Sequence, residues 1–140
     1  LHLSIRRQRQ MCIRDRSGVI YVEAMVSSTH AKLKGMTYHS FLEGVEEASK
    51  KAETDYGIVS RYIMNGIRHL GPESVQQTAR EVLDNPLPIL VGFGLAGDEL
   101  HFPPTLFQST FDMLYAENYP IIQTPKIVNQ KAMPKMELII

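Results

Sequence analysis

Gly92-Phe93-Gly94-Leu95-Ala96-Gly97 has the spacing G-x-G-x-x-G and closes an apolar run. Between a strand and a helix, such glycines let a pyrophosphate approach the backbone at the helix N-terminus. Glu117 even lies 20 residues beyond Gly97, the distance at which an acid can take a ribose hydroxyl. Three features oppose that chemistry. The motif runs straight into Asp98-Glu99, and two carboxylates there repel a pyrophosphate. The next helix signal waits until Pro103-Pro104. Glu117 falls near the end of that helix, whereas the ribose-binding acid belongs at the end of the following strand. The glycines are better read as letting a strand pack and turn tightly. At the C-terminal end of a parallel strand, such a glycine also lets a ligand come close to the backbone.

The histidines are the next candidates, as metal ligands. His30 and His39 lie nine residues apart around a predicted loop and read as surface residues. His69 follows a predicted strand, and packing in or beside the core is its expected role. His101 sits among prolines in a loop, and His2 stands alone near the start. Catalytic zinc takes three protein ligands and keeps an open position, and no such set of three emerges. No catalytic residue and no metal ligand is therefore assigned. The seven methionines read as core or tail filler. The single cysteine, Cys12, rules out a disulfide framework within the chain and suits a reducing compartment.

These residues must be held by ordinary globular elements. The 140 residues suffice for one domain with a real core. No apolar run approaches the roughly 20 residues of a membrane span. Leu1 to Ser17 holds Arg6, Arg7, Arg9, Arg14 and Arg16 against Asp15 alone, while the remainder has ten basic and fourteen acidic side chains, net −4. That body has no basic stripe, which argues against nucleic acid as a partner.

Residues 1–17 share neither pattern nor composition with the rest of the chain. Ser4-Ile5-Arg6-Arg7 suggests a twin-arginine signal, but Gln8-Arg9-Gln10 replaces the required apolar region. A basic nucleic-acid arm is a second reading. Arg7 to Arg16 resembles a translated sequencing-adapter read, and residues 1–17 are treated as a non-native leader. With no export signal visible, the expected compartment is the cytoplasm.

From Gly18 the chain alternates. Gly18 to Val26 is β-branched and apolar, the pattern of a buried strand. A helix begins at Thr37, with Thr37 or Ser40 as N-cap, and Gly57 can close it. Phe41, Val45, Ala48 and Ala52 form its apolar stripe. Ile58 to Ile67 predicts the next strand. Gly71-Pro72-Glu73 starts a helix with Val75, Ala79 and Val82 as its stripe, and Asn85-Pro86 stops it. Pro88 to Leu95 predicts a third strand. Pro103-Pro104 opens a helix with Phe107, Phe111 and Leu114 as its stripe, and Tyr119-Pro120-Ile121-Ile122 begins a fourth strand. Strand starts lie about 30 to 40 residues apart, the length of a βαβ unit. Apolar strands with amphipathic helices between them predict a parallel sheet covered by helices. A doubly wound sheet and part of a (β/α)8 barrel both fit. A complete barrel needs roughly 250 residues, so this would be about half of one. Beyond Gln123 the rhythm stops, and 124–140 reads as an irregular or frameshifted tail.

Val91-Gly92-Phe93-Gly94-Leu95-Ala96-Gly97-Asp98-Glu99 resembles the strand-four segment of adenosine deaminases. Tyr21-Val22-Glu23 followed by Ser27 resembles the second-strand segment. Arg61 through Arg68-His69-Leu70-Gly71-Pro72-Glu73 resembles the third strand and the start of its helix. His101 to Phe111, with Pro103 and Phe107, resembles the helix before the fifth strand. The four agree in order and spacing, and the resemblance covers about residues 18–122, in the barrel domain 18–123. It implies an α/β fold that is a partial TIM barrel: about three βα units plus the start of a further strand.

The resemblance also implies a hydrolase of purine metabolism. In that family a zinc-activated water adds to C6 of the purine, a glutamate handles protons at N1, and ammonia leaves. Gly97 matches the glycine whose backbone amide contacts the purine, and it is the one substrate-binding residue carried across. Gly94 departs from a version of the pattern that has aspartate there. The family's ligands are a His-x-His pair on the first strand, a histidine in a fifth-strand His-Ala-Gly-Glu segment and an eighth-strand aspartate. None of these has a match here; after Ile122 the chain reads Gln123-Thr124-Pro125-Lys126. Zinc is thus expected for the intact family member, while this stretch, a central fragment, is expected to be inactive alone. The expected partner is a small purine nucleoside, with adenosine or deoxyadenosine deaminated to inosine. Leu95-Ala96-Gly97-Asp98-Glu99 favours adenosine. His101-Phe102-Pro103-Pro104 leans toward an adenine or modified-adenylate deaminase, the alternative. A non-catalytic interaction module is the alternative of another class.

Overall fold

A computed structural model of the chain describes residues 18–122; the leader 1–17, Cys12, His2 and the tail 124–140 lie outside the described residues. Strand β1 forms over Tyr21–Val26, followed by a short helix α1, Thr29–Leu33, and the long helix α2, Tyr38–Tyr56. Strand β2 spans Val59–Ile67 and leads through a 3-10 turn, Arg68–Leu70, into helix α3, Pro72–Asp84. Strand β3 covers Leu90–Ala96. A second 3-10 turn, Pro104–Phe107, runs into helix α4, Gln108–Ala116, and β4 is Ile121–Ile122. All pairings are parallel, and the strands stand in sequence order β1-β2-β3-β4.

The register separates two possible architectures. Val26 pairs with Met64, Met64 with Phe93, and Phe93 with Ile121, one row across four strands. In a pleated strand alternate residues share a face, so this row lies on one side. Met64 and Phe93 are fully buried there, in a single cluster with Tyr38 and Leu42 of α2, Val75, Ala79 and Val82 of α3, and Phe107 and Leu114. The three longer helices therefore all cover the same face. A doubly wound sheet places helices on both faces and reverses its strand order at a switch point. Strands in sequence order with helices on one side form a barrel wall, as the partial barrel predicts.

Local chemistry explains most boundaries. Thr37 caps α2 by accepting the Ser40 backbone N–H at 3.1 Å. Gly57 ends it with φ of 65° while its N–H bonds back to the last turn. Pro72 occupies the first turn of α3, where no backbone donor is needed. Val75, Ala79 and Val82 are all fully buried, as their helical spacing requires.

Four details differ from expectation. The β1 segment predicts a buried strand, yet Tyr21, Glu23 and Met25 are exposed while Val22, Ala24 and Val26 are half-buried. It is one of the two edge strands among the described residues, and only its helix-facing residues are partly covered. In α2 the inward side carries Tyr38, Leu42 and Ser49, whereas Ala48 is exposed. Leu42 buries more apolar area than alanine, and the small Ser49 fits beneath it on the same helix face. Helix α1 forms inside a predicted loop and is tied to α3 by Lys32 and Glu81, whose charged atoms lie 2.7 Å apart. The Pro103-Pro104 helix starts as a 3-10 turn before becoming α-helical at Gln108. No described helix is long and apolar enough to cross a membrane.

Phe93 stands at the centre of the row, touching no solvent. Phe93→Ala should cost about 3–5 kcal/mol of stability by loss of packing and cavity formation. Urea denaturation of the two chains measures it; a loss below about 1 kcal/mol would show that the row does not hold the helices to the sheet.

Candidate functional site

Parallel strands all end on one side of the sheet, and three connections meet there. β1 passes into Ser27-Ser28, β2 into Arg68-His69, and β3 into Gly97-Asp98. Of the three segments sharing the resemblance at these strands, Ser27, Arg68-His69 and Gly97 thus lie at the same end, while Tyr21 starts β1 at the opposite end. There Tyr21 donates to Glu23 at 2.7 Å; that bond, with the adjoining carboxylate, raises the phenol pKa.

Gly97 is the residue that the sequence assigns to substrate. Its φ of +101° lies where L side chains are strained. A Cβ on it would also sit 3.0 Å from His69 Nδ1 and 3.7 Å from the Arg68 backbone nitrogen. The residue is solvent-exposed, so its backbone is open on the other side. His69 is exposed as well. It flanks Gly97 instead of packing in the core, because its 3-10 turn carries it past the last strand pair, Ile67 with Ala96.

No helix begins within the glycine motif. β3 ends at Ala96, and the next helical turn starts at Pro104. Gly94 is buried, and a Cβ there would lie 2.6 Å from Asn65 Oδ1. Asn65 is 4% exposed, and that oxygen has no hydrogen-bond partner among the described residues. The Asn65 amide thus takes the space in which a side chain at 94, including an aspartate, would stand. Sequence reasoning misses Asn65; the only signal is a polar residue inside an otherwise apolar strand, Ile63-Met64-Asn65-Gly66-Ile67.

The two acids after Gly97 face different partners. The Asp98 carboxylate meets His101 Nδ1 at 2.6 Å and accepts the His101 backbone N–H at 3.1 Å. These bonds to His101 hold the Asp98 carboxyl below its usual range. Glu99 Oε2 lies 3.7 Å from Arg68 Nη2, and Arg68 Nη1 donates to the Phe102 carbonyl at 3.1 Å. Arg68 is only 3% exposed. A buried guanidinium without partners would be costly, and these two contacts answer that cost. Sequence spacing gives no sign of this reach across 34 residues.

The other histidines are scattered. His39 approaches Glu43 on the exposed face of α2, and His30 is exposed on α1. Among the described residues, no group of three His, Cys, Asp or Glu side chains is placed to hold a metal ion. His101 is engaged by Asp98, and His39 by Glu43. The described residues do not by themselves fit a zinc site.

A family model described as adenosine deaminase matches residues 6–123. An adenine deaminase of Chelativorans sp. (strain BNC1) is 38% identical over 96 residues, covering 69% of this chain and 30% of that protein. The chain therefore spans under a third of the length of the curated relatives it matches. Among solved structures, an amidohydrolase from Burkhoderia ambifaria with bound zinc superposes with a TM-score of 0.71 at 20% identity, over 75% of this chain and 29% of that one. An adenine deaminase from Arthrobacter aurescens gives a TM-score of 0.70 at 22% identity, over 79% of this chain and 33% of that one. At such identity these structures speak to the fold, a barrel segment.

The Asp98–His101 pair has a direct readout. Because the folded carboxyl pKa is depressed, the pair's contribution is present above the unfolded value of 3.8 and is lost as pH falls through the lower folded value. An NMR pH titration should place Asp98 below 3.8, and His101→Ala should return it toward that value. An Asp98 titration unmoved by His101→Ala would show that the bond is not made.

Proposed function

The chain belongs to the adenosine deaminase family, and on that premise we propose that it is the central part of a purine deaminase acting on adenine. Hydrolytic deamination replaces the ring amino group with oxygen: adenine and water give hypoxanthine and ammonia. The observation that carries the assignment is Gly97, with its backbone open at the C-terminal end of β3 where barrel sites lie. A residue without Cβ lets a flat ring approach the main chain, and its amide can donate to a ring nitrogen. His69 walls one side of that approach.

Adenine is preferred over adenosine, the substrate favoured by Leu95-Ala96-Gly97-Asp98-Glu99. Curated relatives of this chain are adenine deaminases, and the His101-Phe102-Pro103-Pro104 segment supports the same branch. Zinc is the expected cofactor of the whole enzyme, supported by the zinc bound in the Burkhoderia ambifaria structure. Within this chain the residues do something else. Gly97 would present its amide, and His69 would flank the ring that approaches it.

The test is to express the reading frame extended in both directions and assay it on adenine and adenosine. A higher kcat/KM on adenine is expected; a strong preference for adenosine would reverse the substrate assignment, and no turnover of either would remove the deaminase reading. In the same enzyme, Gly97→Ala should lower kcat/KM on the better substrate by about 100-fold, since a small displacement at the reacting end is enough. Full activity in a folded Gly97→Ala enzyme would show that Gly97 does not face the purine.

A further inference from the structure

We propose that Arg68 is a positioning residue: its buried guanidinium anchors the 97–103 loop to the end of β2 and so sets where Gly97 presents its amide. The proposal rests on the reading of Gly97 as the purine-facing residue. The strand ladder guides β3 only as far as Ala96, which pairs with Ile67. Beyond that point Gly97 has a φ that only glycine adopts easily, so the ladder cannot hold it. The loop is stiff within itself. Asp98 closes it onto the backbone and ring of His101, and Pro103-Pro104 restrain its exit.

A loop braced internally moves as a unit, so its placement depends on what ties it to the sheet. Arg68 supplies two ties from one planar group, a hydrogen bond to the Phe102 carbonyl at 3.1 Å and an approach to Glu99 at 3.7 Å. The guanidinium holds its donors in a rigid planar fork that can serve both at once, whereas a lysine ammonium offers a single point charge on a flexible stem. A Cβ placed on Gly97 would come within 3.7 Å of the Arg68 backbone nitrogen, so the end of β2 borders that position. Burial to 3% exposure keeps water from competing for the bond to Phe102. A side chain that only filled space would need no charge there.

Hydrogen–deuterium exchange of the full 140-residue chain tests this, read by mass spectrometry on peptides spanning 97–103 and 72–84. Arg68→Gln should speed exchange in 97–103 by about tenfold or more, the effect of losing a charged hydrogen bond, while α3 keeps its protection. Arg68→Lys should recover part of the loss. Unchanged exchange in 97–103, or a rise shared equally by α3, overturns the proposal. If Arg68→Gln does not fold, Arg68→Lys decides: faster exchange confined to 97–103 supports it, and wild-type exchange or a rise shared with α3 overturns it. Adenine added to the enzyme expressed from the extended reading frame, with the same exchange readout, separates the two readings. Slower exchange at 97–103 supports both, whereas no effect of adenine with a loop still dependent on Arg68 upholds the anchor and removes the purine contact.

Discussion

Parallel pairing sends every strand of this chain to the same end of the sheet, and the rest of the structure depends on that direction. Each strand must be followed by a return path, which the helices supply, and the helices must all lie on one face if the wall is to curve. The row Val26, Met64, Phe93 and Ile121 is where the two requirements meet. It gives the helices an apolar surface and leaves the other face to the interior of the wall. Three unrelated stretches of sequence are then brought together at the strand ends without any direct attraction between them. Ser27, His69 and Gly97 are neighbours in this sense because their strands run the same way.

The glycines of β3 belong to the other face. Gly92 and Gly94 alternate with Phe93 and Leu95, so the middle of the strand is large on one side and has no side chains on the other. The space is filled from neighbouring strands. Ile122 crowds the position where a Gly92 Cβ would sit, and Asn65 Oδ1 crowds that of Gly94. Steric exchange of this kind couples positions on adjacent strands: a larger residue at 94 requires a smaller or differently placed one at 65. The departure from aspartate at 94 is thereby matched by a residue that no local pattern would have paired with it.

What could be read from the sequence followed periodicity. Val75, Ala79 and Val82 repeat at helical spacing, and burial follows directly. Thr37 and Gly57 mark the ends of α2 because their preferred chemistry is local. Periodicity could not choose between a doubly wound sheet and a barrel, since both are made of the same units; the cross-strand register made that choice. Nor could it foresee β1, whose apolar residues predict burial that an edge position does not provide. At the strand ends, the family resemblance singled out Gly97, whose role remains the proposal above, and His69 was visible only as a residue following a strand. Arg68 and Asn65 were not, because their roles are contacts across 34 residues for one and across a strand pair for the other.

The acids after the glycine motif bear on ligand choice twice, once through their charge and once through their partners. Asp98-Glu99 speaks against a bound pyrophosphate because of its charge. In the fold each carboxylate has its own partner: Asp98 turns back to the His101 ring and backbone, and Glu99 approaches the Arg68 guanidinium. Neither points the motif toward an anion. Their combined effect is to shape and anchor the loop on which Gly97 stands, so that its backbone is held open without a side chain. A neutral, flat ligand that hydrogen-bonds to a main-chain amide suits such a place. On the proposed reading, the acids that oppose a nucleotide phosphate also brace the loop from which Gly97 would meet a purine base.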